Sequence, residues 1–458
     1  MEITYEQTQI AIELSSINEN DTVTELQARK AYELFIGLSE RPNFKIGPDA
    51  VKPRRLNDNT IEVISPEFFG TPHRIIYLTR WTIRILPFIK VLSTVGKLPA
   101  KRDSNDFEGF LEGLLNNYLH SVEEIYRNIP APHNLIRQID LENIRGLISK
   151  ITSSVNEYYT GYPDRAYTAL KEGIENHLIG NNGYLDNVLT SDEEDDPYVD
   201  TLYKMRVGSN HTYSAEEMFH IPYQLRGLVK TNRYSIPGLP CVYLGSSPLT
   251  CWEELNKPDL NTVQTSLFLV KNISFLDIST PPEAALDKLI LLFRFNGVAD
   301  MNEVYDELIS YLVMWPLIAA CSICVKNIND SFKPEYIIPQ LLLQWIRQSN
   351  YDGVRYFSTK VSKYSMKTVT YYKNYALPVQ EQKKIGHCNV LRSKFTLITD
   401  AVPWQMFQLY KDSYLATPNE QGVQAELEFV NDMGLLYSAT DFSKLESFLI
   451  NIVEKMSK

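Results

Sequence analysis

An arginine, a tyrosine and a glutamate that could share one active site follow each other in a single stretch of this sequence. Arg233 precedes a Pro-Gly turn signal, Tyr243 lies on the strand predicted after it, and Glu254 begins a predicted helix. A carboxylate stabilises positive charge that develops during a reaction, and an arginine binds anions through two parallel hydrogen bonds. The three side chains could converge at the open end of a small sheet. Taken alone, they also fit a strand tyrosine and a solvated glutamate with no part in any chemistry.

The second half of the chain supplies the elements that would position these residues. Runs of β-branched and aromatic residues, bounded by turn signals, predict short strands. They cover Leu202–Val207, Leu239–Leu244, Thr265–Val270 and Thr368–Leu377. Apolar residues at helical spacing predict helices between and after these strands. They cover Ala284–Phe293, Val304–Val325, Ile338–Arg347 and Asp441–Met456.

The first half of the chain, residues 1–185, is predicted to be mostly helical. Asp106 is the predicted N-cap of its strongest helix, which places Phe107, Leu111 and Tyr118 on one face. Further helices are predicted over Thr22–Leu38, Asn134–Tyr158 and Asp164–Leu178. This half carries no metal-ligand spacing, phosphate-binding glycine loop or nucleophile elbow. The predicted fold class is therefore α+β, a mostly helical N-terminal domain followed by a mixed α/β domain.

An acidic run that ends in proline, Ser191–Pro197, separates the two halves. Such a run repels itself into an extended form and cannot pack into a core, so it is predicted to be a linker. The alternative is a solvated loop within one domain. The predicted domains are a helical regulatory or interaction domain at 1–190, the linker at 191–197, a catalytic domain at 198–380, and a helical extension packed on it at 381–458.

Composition limits the classes of function. The chain has 458 residues and a formal net charge of −11, which argues against nucleic acid as the main partner. The segment Leu308–Val325 has no charged residue, but Pro316 interrupts it, and we predict a buried helix or helix pair rather than a membrane span. The first residues lack the features of a signal peptide, and five cysteines fit a reducing cytosol, so a cytoplasmic protein is expected. Cys321 and Cys324 are interpreted as core cysteines.

Three segments in the second half resemble the RES domain, a family whose name records an arginine, a glutamate and a serine. The resemblance begins at the strand of residues 202–206, which ends in Arg206, and continues through the spacing of Arg233, Tyr243 and Glu254. It resumes at residues 351–358, a predicted strand that ends in Ser358. It covers residues 202–378, well under half of the chain. Residues 260–339 are longer and more helical than the corresponding part of compact members.

The resemblance implies a fold similar to that of ADP-ribosyltransferases and an activity on NAD, with no metal. Glu254, or the adjacent Glu253, would place negative charge beside the ribose as nicotinamide leaves. Arg206 and Arg233 would bind the pyrophosphate of NAD. Tyr243 would stack on nicotinamide or donate its hydroxyl, and Ser358 would bond a ribose or phosphate oxygen. Asn374 and the aromatic residues between Ser358 and Asn374 are expected to pack rather than to contact a ligand.

The leading hypothesis is an intracellular bacterial toxin or anti-phage defence effector that cleaves the nicotinamide–ribose bond, with water or phosphate as the acceptor. A second hypothesis is an ADP-ribosyltransferase that modifies a protein or nucleic acid. A third is a binding module that keeps the fold without catalysis. The N-terminal half is expected to contact an antitoxin or regulatory protein, or to form a homo-oligomer, because an enzyme that consumes NAD must be controlled.

Overall fold

The computed structural model describes most of the chain from residue 84 onwards. The described ranges are 84–129, 134–179, 183–185, 201–208, 210–295, 301–361, 363–410, 426–430 and 433–456, with Ile10, Glu13, Lys30 and the pairs 54–55 and 61–62 before them. Apart from Lys30, the predicted helix Thr22–Leu38 lies outside the described residues, and so does the acidic run Ser191–Pro197.

The helices of the described chain are numbered here in order along it. They are α1 Leu86–Ser93, α2 Phe107–Asn128, α3 Gln138–Tyr159, α4 Pro163–Ile174, α5 Ala215–Met218, α6 Pro248–Glu254, α7 Pro282–Phe295, α8 Met301–Cys321, α9 Ile337–Ile346, α10 Met366–Val369, α11 Asn389–Arg392, α12 Trp404–Tyr410 and α13 Asp441–Met456. Asp106 caps α2 as predicted, because its side chain accepts a hydrogen bond of 2.9 Å from the Gly109 amide.

The strands form one large sheet and two small hairpins. They are β1 Arg54–Arg55, β2 Ile61–Glu62, β3 Thr201–Val207, β4 Cys241–Gly245, β5 Val263–Val270, β6 Phe275–Ile278, β7 Gly353–Phe357, β8 Lys373–Pro378, β9 Phe395–Ile398, β10 Val402–Pro403, β11 Glu426–Val430 and β12 Met433–Leu436. The large sheet runs in the order β10-β5-β3-β4-β8-β7-β6, with β9 also paired to β5. Only β6 and β7 pair in parallel, within this sheet. The predicted α+β class, a helical part with a mixed sheet, is confirmed.

Alternate residues of each strand point to opposite faces of the sheet. One face of the sheet carries apolar residues that belong to the same core as the long helices, namely Tyr203, Met205, Leu267, Val354 and Ala376. The opposite face is covered by α5, α11 and the 3-10 turn Tyr223–Leu228 through a second, smaller cluster. Its strand members include Leu202, Val242, Leu244, Phe268 and Leu377. The sheet therefore separates two cores, and a residue's position along its strand decides which core it faces.

The N-terminal helices share the larger core with the helices that follow the sheet's first strands. Tyr118 of α2 stacks on Trp315 of α8, with ring centroids 3.9 Å apart, and donates a hydrogen bond of 2.8 Å to the Leu312 carbonyl. Arg102, just before α2, forms a buried ion pair of 2.6 Å with Glu335. One apolar cluster thus runs through both parts of the described chain. The predicted domain boundaries remain predictions beside this observation.

Helix α8 is the apolar segment that raised the question of a membrane. Residues Val304–Cys321 are long and apolar enough to cross a bilayer, and 83% of this window is buried inside the protein. The helix continues through Pro316, and its Trp315 and Leu317 are fully buried. The prediction of a buried helix is confirmed, as one helix rather than a pair, because α8 runs through Pro316 without a break and ends at Cys321.

Two segments differ from the predicted elements. The strand predicted over Thr368–Leu377 is wrong in its first half, where α10 and a 3-10 turn precede β8. The Ser365 side chain accepts a hydrogen bond from the Thr368 amide, and this cap starts a helical turn despite the strand-favouring composition. The segment 381–458, predicted to be helical, also contributes β9 and β10 to the sheet beside its helices.

Candidate active site

Glu254 is the last residue of α6, not the first residue of a helix as predicted. The helix begins earlier because Ser247 caps it, with its hydroxyl accepting from the Thr250 amide, and because Pro248 fits the first helical position. The Ser247 hydroxyl also donates to the Tyr371 carbonyl at 2.8 Å, which fixes α6 against the segment before β8. The short helix therefore delivers Glu254 to the sheet from a fixed starting point.

The Glu254 carboxylate is bound by two side chains from different strands. The Ser358 hydroxyl, which directly follows β7, donates to Glu254 Oε1 at 2.6 Å. The Asn374 amide on β8 donates to the same oxygen at 2.9 Å. Both partners are buried, whereas the Glu254 side chain is 34% exposed. The predicted residues Glu254 and Ser358 thus meet, and together with Asn374 they form a polar cluster, called the cluster from this point on.

The sheet register explains why Asn374 reaches this point. Asn374 lies opposite Gly245 on β4 and opposite Tyr356 on β7. Helix α6 passes closely over Gly245, where an added Cβ would lie 2.9 Å from the Cys251 sulfur. The absence of a side chain at Gly245 therefore lets α6 lie close to β4, beside the paired position of Asn374 on β8.

Of the two adjacent glutamates, Glu254 carries the contacts to the cluster. Glu253, whose side chain is 13% exposed, instead forms an ion pair of 3.0 Å with Lys257. Oε2 of Glu254 has no hydrogen-bond donor among the described residues, and the Lys360 ammonium group lies 3.9 Å from it. One carboxylate oxygen is thus held by the protein, and the other remains available to a ligand.

Tyr243 and Arg233 lie beside this cluster with most of their polar groups already engaged. The Tyr243 hydroxyl donates to the Tyr234 carbonyl at 2.6 Å, and burial raises the pKa of Tyr243 well above its usual value. The Arg233 guanidinium donates to the carbonyls of Cys321 and Ile323, at 3.1 and 2.9 Å. It also donates to Thr359, the residue after Ser358, at 3.1 Å. Arg233 therefore ties the end of α8 to the loop that carries Ser358.

Aromatic residues surround the carboxylate and respond to its charge. Burial raises the pKa of Tyr356 well above its usual value, and the nearby negative charge of Glu254 raises it further. The same two causes, in the same order, raise the pKa of Tyr364, whose hydroxyl donates to the Ser358 carbonyl. Tyr336 packs with its ring 5.3 Å from the Arg233 guanidinium. The cluster is an acidic group within an aromatic surround, and it remains partly open to solvent.

Arg206, the remaining predicted site residue, is not brought to the cluster. It is three positions from Tyr203 on β3, an odd number, so it lies on the opposite face of the sheet. Its guanidinium donates to the Glu217 carbonyl at 2.6 Å and covers the Tyr213 ring at 4.2 Å. There it caps the carbonyl end of α5, together with the buried Lys204, whose pKa burial lowers to about 7.

Two site residues were missed by the sequence reasoning. Asn374 was expected to pack, and Lys360 was not considered. The signal for Asn374 was available in part, because a polar amide in a largely apolar strand next to the Ser358 segment has few other uses. Lys360 follows Ser358 by two positions in a loop, and no periodicity predicts where a loop side chain points.

Other candidates for chemistry do not form a second site of this kind. No group of three or more histidine, cysteine, aspartate or glutamate residues suited to a metal occurs in the described part of the chain. All five cysteines are free, and burial raises the pKa of Cys321 to about 12. A groove of about 590 Å³ between α2 and α3, lined by residues such as Asn116 and Ser153, contains no member of the cluster.

Comparison with known proteins finds a relative of nearly the same length. The chain is 34% identical over 447 residues to the Bacillus subtilis (strain 168) protein named "Putative toxin YopC", and the match covers 96% of this chain and 95% of the relative. No family model matches the chain. No solved structure matches it either.

Proposed function

This chain belongs to the family of the Bacillus subtilis protein YopC, and on that premise we propose that it is a toxin that cleaves NAD between nicotinamide and ribose. The name of the relative supports the toxin role. One observation supports the chemistry: the Glu254 carboxylate is held through Oε1 by Ser358 and Asn374, while Oε2 and a third of the side chain face solvent. A charge fixed in this way can act on a bound substrate without reorganising.

The proposed reaction breaks the bond between the nicotinamide nitrogen and the ribose carbon. The electron pair leaves with nicotinamide, which departs neutral, and the sugar becomes positively charged in the manner of an oxocarbenium ion. The negative charge on Oε2 of Glu254 stabilises the positive charge on the sugar when the two lie close together. Water then adds to the ribose carbon and releases a proton, which yields ADP-ribose. Phosphate as the acceptor gives the 1-phosphate of ADP-ribose instead.

We assign residues 202–378 to a RES domain as part of this proposal. Two of the three segments that carry the resemblance supply the cluster, since Glu254 and Ser358 belong to them. Tyr243 forms part of the wall, with its hydroxyl directed to the main chain and near enough to Tyr356 for the two groups to interact electrostatically. Arg233 shapes the loop of Ser358. The proposal gives Arg206 no role in binding NAD, because its guanidinium caps α5 on the opposite face.

The test is to incubate the purified full-length protein with NAD, with and without phosphate, and to identify the products. Free ADP-ribose indicates hydrolysis, its 1-phosphate indicates phosphorolysis, and protein-bound ADP-ribose indicates transfer. Glu254→Gln removes the charge and keeps the shape, so NAD cleavage is expected to fall about 10²- to 10³-fold. Glu253→Gln is the matched control, because its carboxylate pairs with Lys257 instead.

The outcomes separate three explanations. Loss of turnover in Glu254→Gln alone, with an unchanged melting temperature, supports the proposal. Loss in Glu253→Gln alone would place the active carboxylate one residue earlier. Full activity in both variants, or no cleavage of NAD by the wild type, would overturn the electrostatic role of Glu254. In cells, expression of the wild type but not of Glu254→Gln is expected to deplete NAD and stop growth.

A further inference from the structure

The chain leaves α6 in an unusual way directly after Glu254. Asn256 and Lys257 both adopt left-handed backbone conformations, with φ of 64° and 54°, which residues with a Cβ seldom do. The amide of Lys257 turns back to the Trp252 carbonyl at 3.0 Å. Pro258 occupies the position four residues after Glu254 and has no N–H. The usual helical donor to the Glu254 carbonyl is therefore missing.

Lys360 supplies the missing donor. Its ammonium group donates to the carbonyls of Glu253 and Glu254, at 2.9 and 2.8 Å, and to the Asn256 side-chain oxygen at 2.7 Å. An ammonium group has three N–H donors, and these three acceptors use all of them. The Lys360 side chain is 27% exposed, and burial lowers the pKa of its ammonium group. The positive charge thus lies at the carbonyl end of α6, where the ammonium group also binds the side chain of the left-handed residue Asn256.

The same residue touches the other side of the cluster through its main chain. The Lys360 amide donates to the Ser358 hydroxyl oxygen at 3.2 Å. The hydroxyl accepts from this amide and donates its own proton to Glu254 Oε1, 2.6 Å away, so the two hydrogen bonds together fix its orientation. Lys360 therefore contacts both the helix that carries the carboxylate and the serine that binds it. Its charge also lies 3.9 Å from Oε2.

We propose that Lys360 is a positioning residue of the active site, which fixes the Glu254 carboxylate by closing the end of α6 and by orienting the Ser358 hydroxyl. This inference rests on the proposed function of Glu254. Lys360 does not contact NAD in this role, since its three donors are already used. Without it, the end of α6 loses the group that holds two carbonyls and the Asn256 side chain. The carboxylate then has greater freedom to leave the orientation that favours the charged sugar.

Lys360→Met in the full-length protein removes the charge and the donors while keeping most of the side-chain volume. Loss of alignment at a reacting centre costs up to about 10²-fold in rate, so kcat for NAD is expected to fall by about 10- to 100-fold. KM is expected to stay within about twofold, because Lys360 does not bind the substrate in this inference. Lys360→Arg keeps the charge and several donors and is expected to recover most of the lost kcat.

Lys257→Met is the matched control. Lys257 is a neighbouring lysine whose side chain is 58% exposed and pairs with Glu253, so kcat and KM are expected to match the wild type. Asn256→Gly is a second variant, which keeps the left-handed backbone and removes one acceptor of Lys360. It is expected to lower kcat by a few-fold, and it decides the question if Lys360→Met does not fold.

Wild type and Glu254→Gln, measured in parallel, separate the two proposals. An active wild type, an inactive Glu254→Gln and an unchanged kcat in Lys360→Met would overturn the positioning role alone. A rise in KM with unchanged kcat would also overturn it, because it would make Lys360 a binding residue. Activity in Glu254→Gln would overturn the proposed function and, with it, the reason to position that carboxylate. A fall in kcat that only Lys360→Arg restores supports the inference.

Discussion

Two regions of this molecule differ in how completely their polar side-chain atoms are hydrogen-bonded. Between the N-terminal helices and α8, the polar atoms of Tyr118 and Trp315 donate to main-chain carbonyls at 2.8 and 2.9 Å, within a large apolar cluster. At the end of α6, two buried side chains bind one oxygen of Glu254 and leave the other open. The first arrangement contributes to stability. The second keeps a carboxylate at a partly exposed point, as the proposed function of Glu254 requires.

The same contacts bear on the role of the N-terminal helices. An apolar face can cover a partner or complete the protein's own core, and here α3 and α4 pack directly against α8 and α9. The buried pair of Arg102 with Glu335 adds a polar contact across the same boundary. Glu335 directly precedes Tyr336, whose ring covers Arg233. The helical part is therefore joined to the surroundings of the site by contacts within the chain.

Removing the N-terminal helices gives the largest expected effect. A fragment of residues 197–458 exposes the faces of α8 and α9 that now pack on α2, α3 and α4, so we expect it to be insoluble or unfolded. Soluble yield, mass in solution and circular dichroism measure this. A soluble fragment whose NAD turnover and oligomeric state equal those of the full-length protein would contradict it. That result would also exclude regulation by the N-terminal half.

Two fully buried serines, one in each region, give the next largest effect. Ser358→Ala removes a donor to Glu254 and is expected to lower NAD turnover by about 10²-fold. Ser154→Ala is the matched control, because its hydroxyl donates to the Ala166 carbonyl at 2.7 Å, away from the cluster. Each change is expected to alter the free energy of unfolding by about 1 kcal/mol. Chemical denaturation and NAD turnover of both variants test the difference, and equal losses of turnover would remove it.

Arg206→Met tests the two faces of the sheet and has a smaller expected effect. Its guanidinium caps the carbonyl end of α5, so the change is expected to cost about 1 kcal/mol of stability. NAD turnover is expected to remain within about twofold of wild type, because a contact on the opposite face supplies no transition-state binding. The measurements are chemical denaturation and steady-state kinetics with NAD. A loss as large as that of Ser358→Ala would restore the prediction that Arg206 binds the pyrophosphate.

Helices with a regular apolar spacing could be predicted with their bounds. Elements whose ends depend on a single cap or turn were predicted at the wrong positions along the chain. The helix predicted over Asp441–Met456 is observed with those bounds, because its apolar spacing is regular throughout. Helix α6 was placed too late along the chain, since Ser247 and Pro248 start it and the left-handed Asn256 ends it. Composition alone could not show that Ser365 begins a helical turn in a stretch rich in strand-forming residues.

The candidate site could be predicted only as far as sequence order carries spatial information. Glu254 and Ser358 meet although 104 positions separate them, which the family resemblance indicated and the residue pattern alone did not. Arg206 lies on the opposite face of the sheet from these residues because side chains alternate along a strand, and its predicted contact with NAD stays a prediction. Asn374 depends on the register of β8 between β4 and β7, and Lys360 on the path of a loop. Such facts follow from tertiary packing, which no local pattern records.

The smallest expected effect on NAD turnover concerns a third environment, the C-terminal helix. Helix α13 packs on α6 through Phe442 and Trp252, with ring centroids 5.5 Å apart, and it carries Glu446. Burial raises the pKa of Glu446 to about 8, although the Tyr437 hydroxyl donates to it at 2.6 Å and opposes that rise. The folded protein therefore favours the protonated acid more strongly than the unfolded chain does, where a glutamate titrates near about 4.3.

The direction of the pH dependence follows from this difference. Below about pH 4 both states bind the proton, and Glu446 contributes fully to stability; between about pH 4.3 and 8 the unfolded chain loses the proton first, and stability falls. Glu446→Gln keeps a carbonyl acceptor for Tyr437 but cannot ionise. The variant is therefore expected to melt at a higher temperature than the wild type at pH 8 and at nearly the same temperature at pH 4. Thermal melting at several pH values, with NAD turnover measured alongside, tests this. An equal difference in melting temperature at pH 4 and pH 8 would show that Glu446 is already ionised in the folded protein.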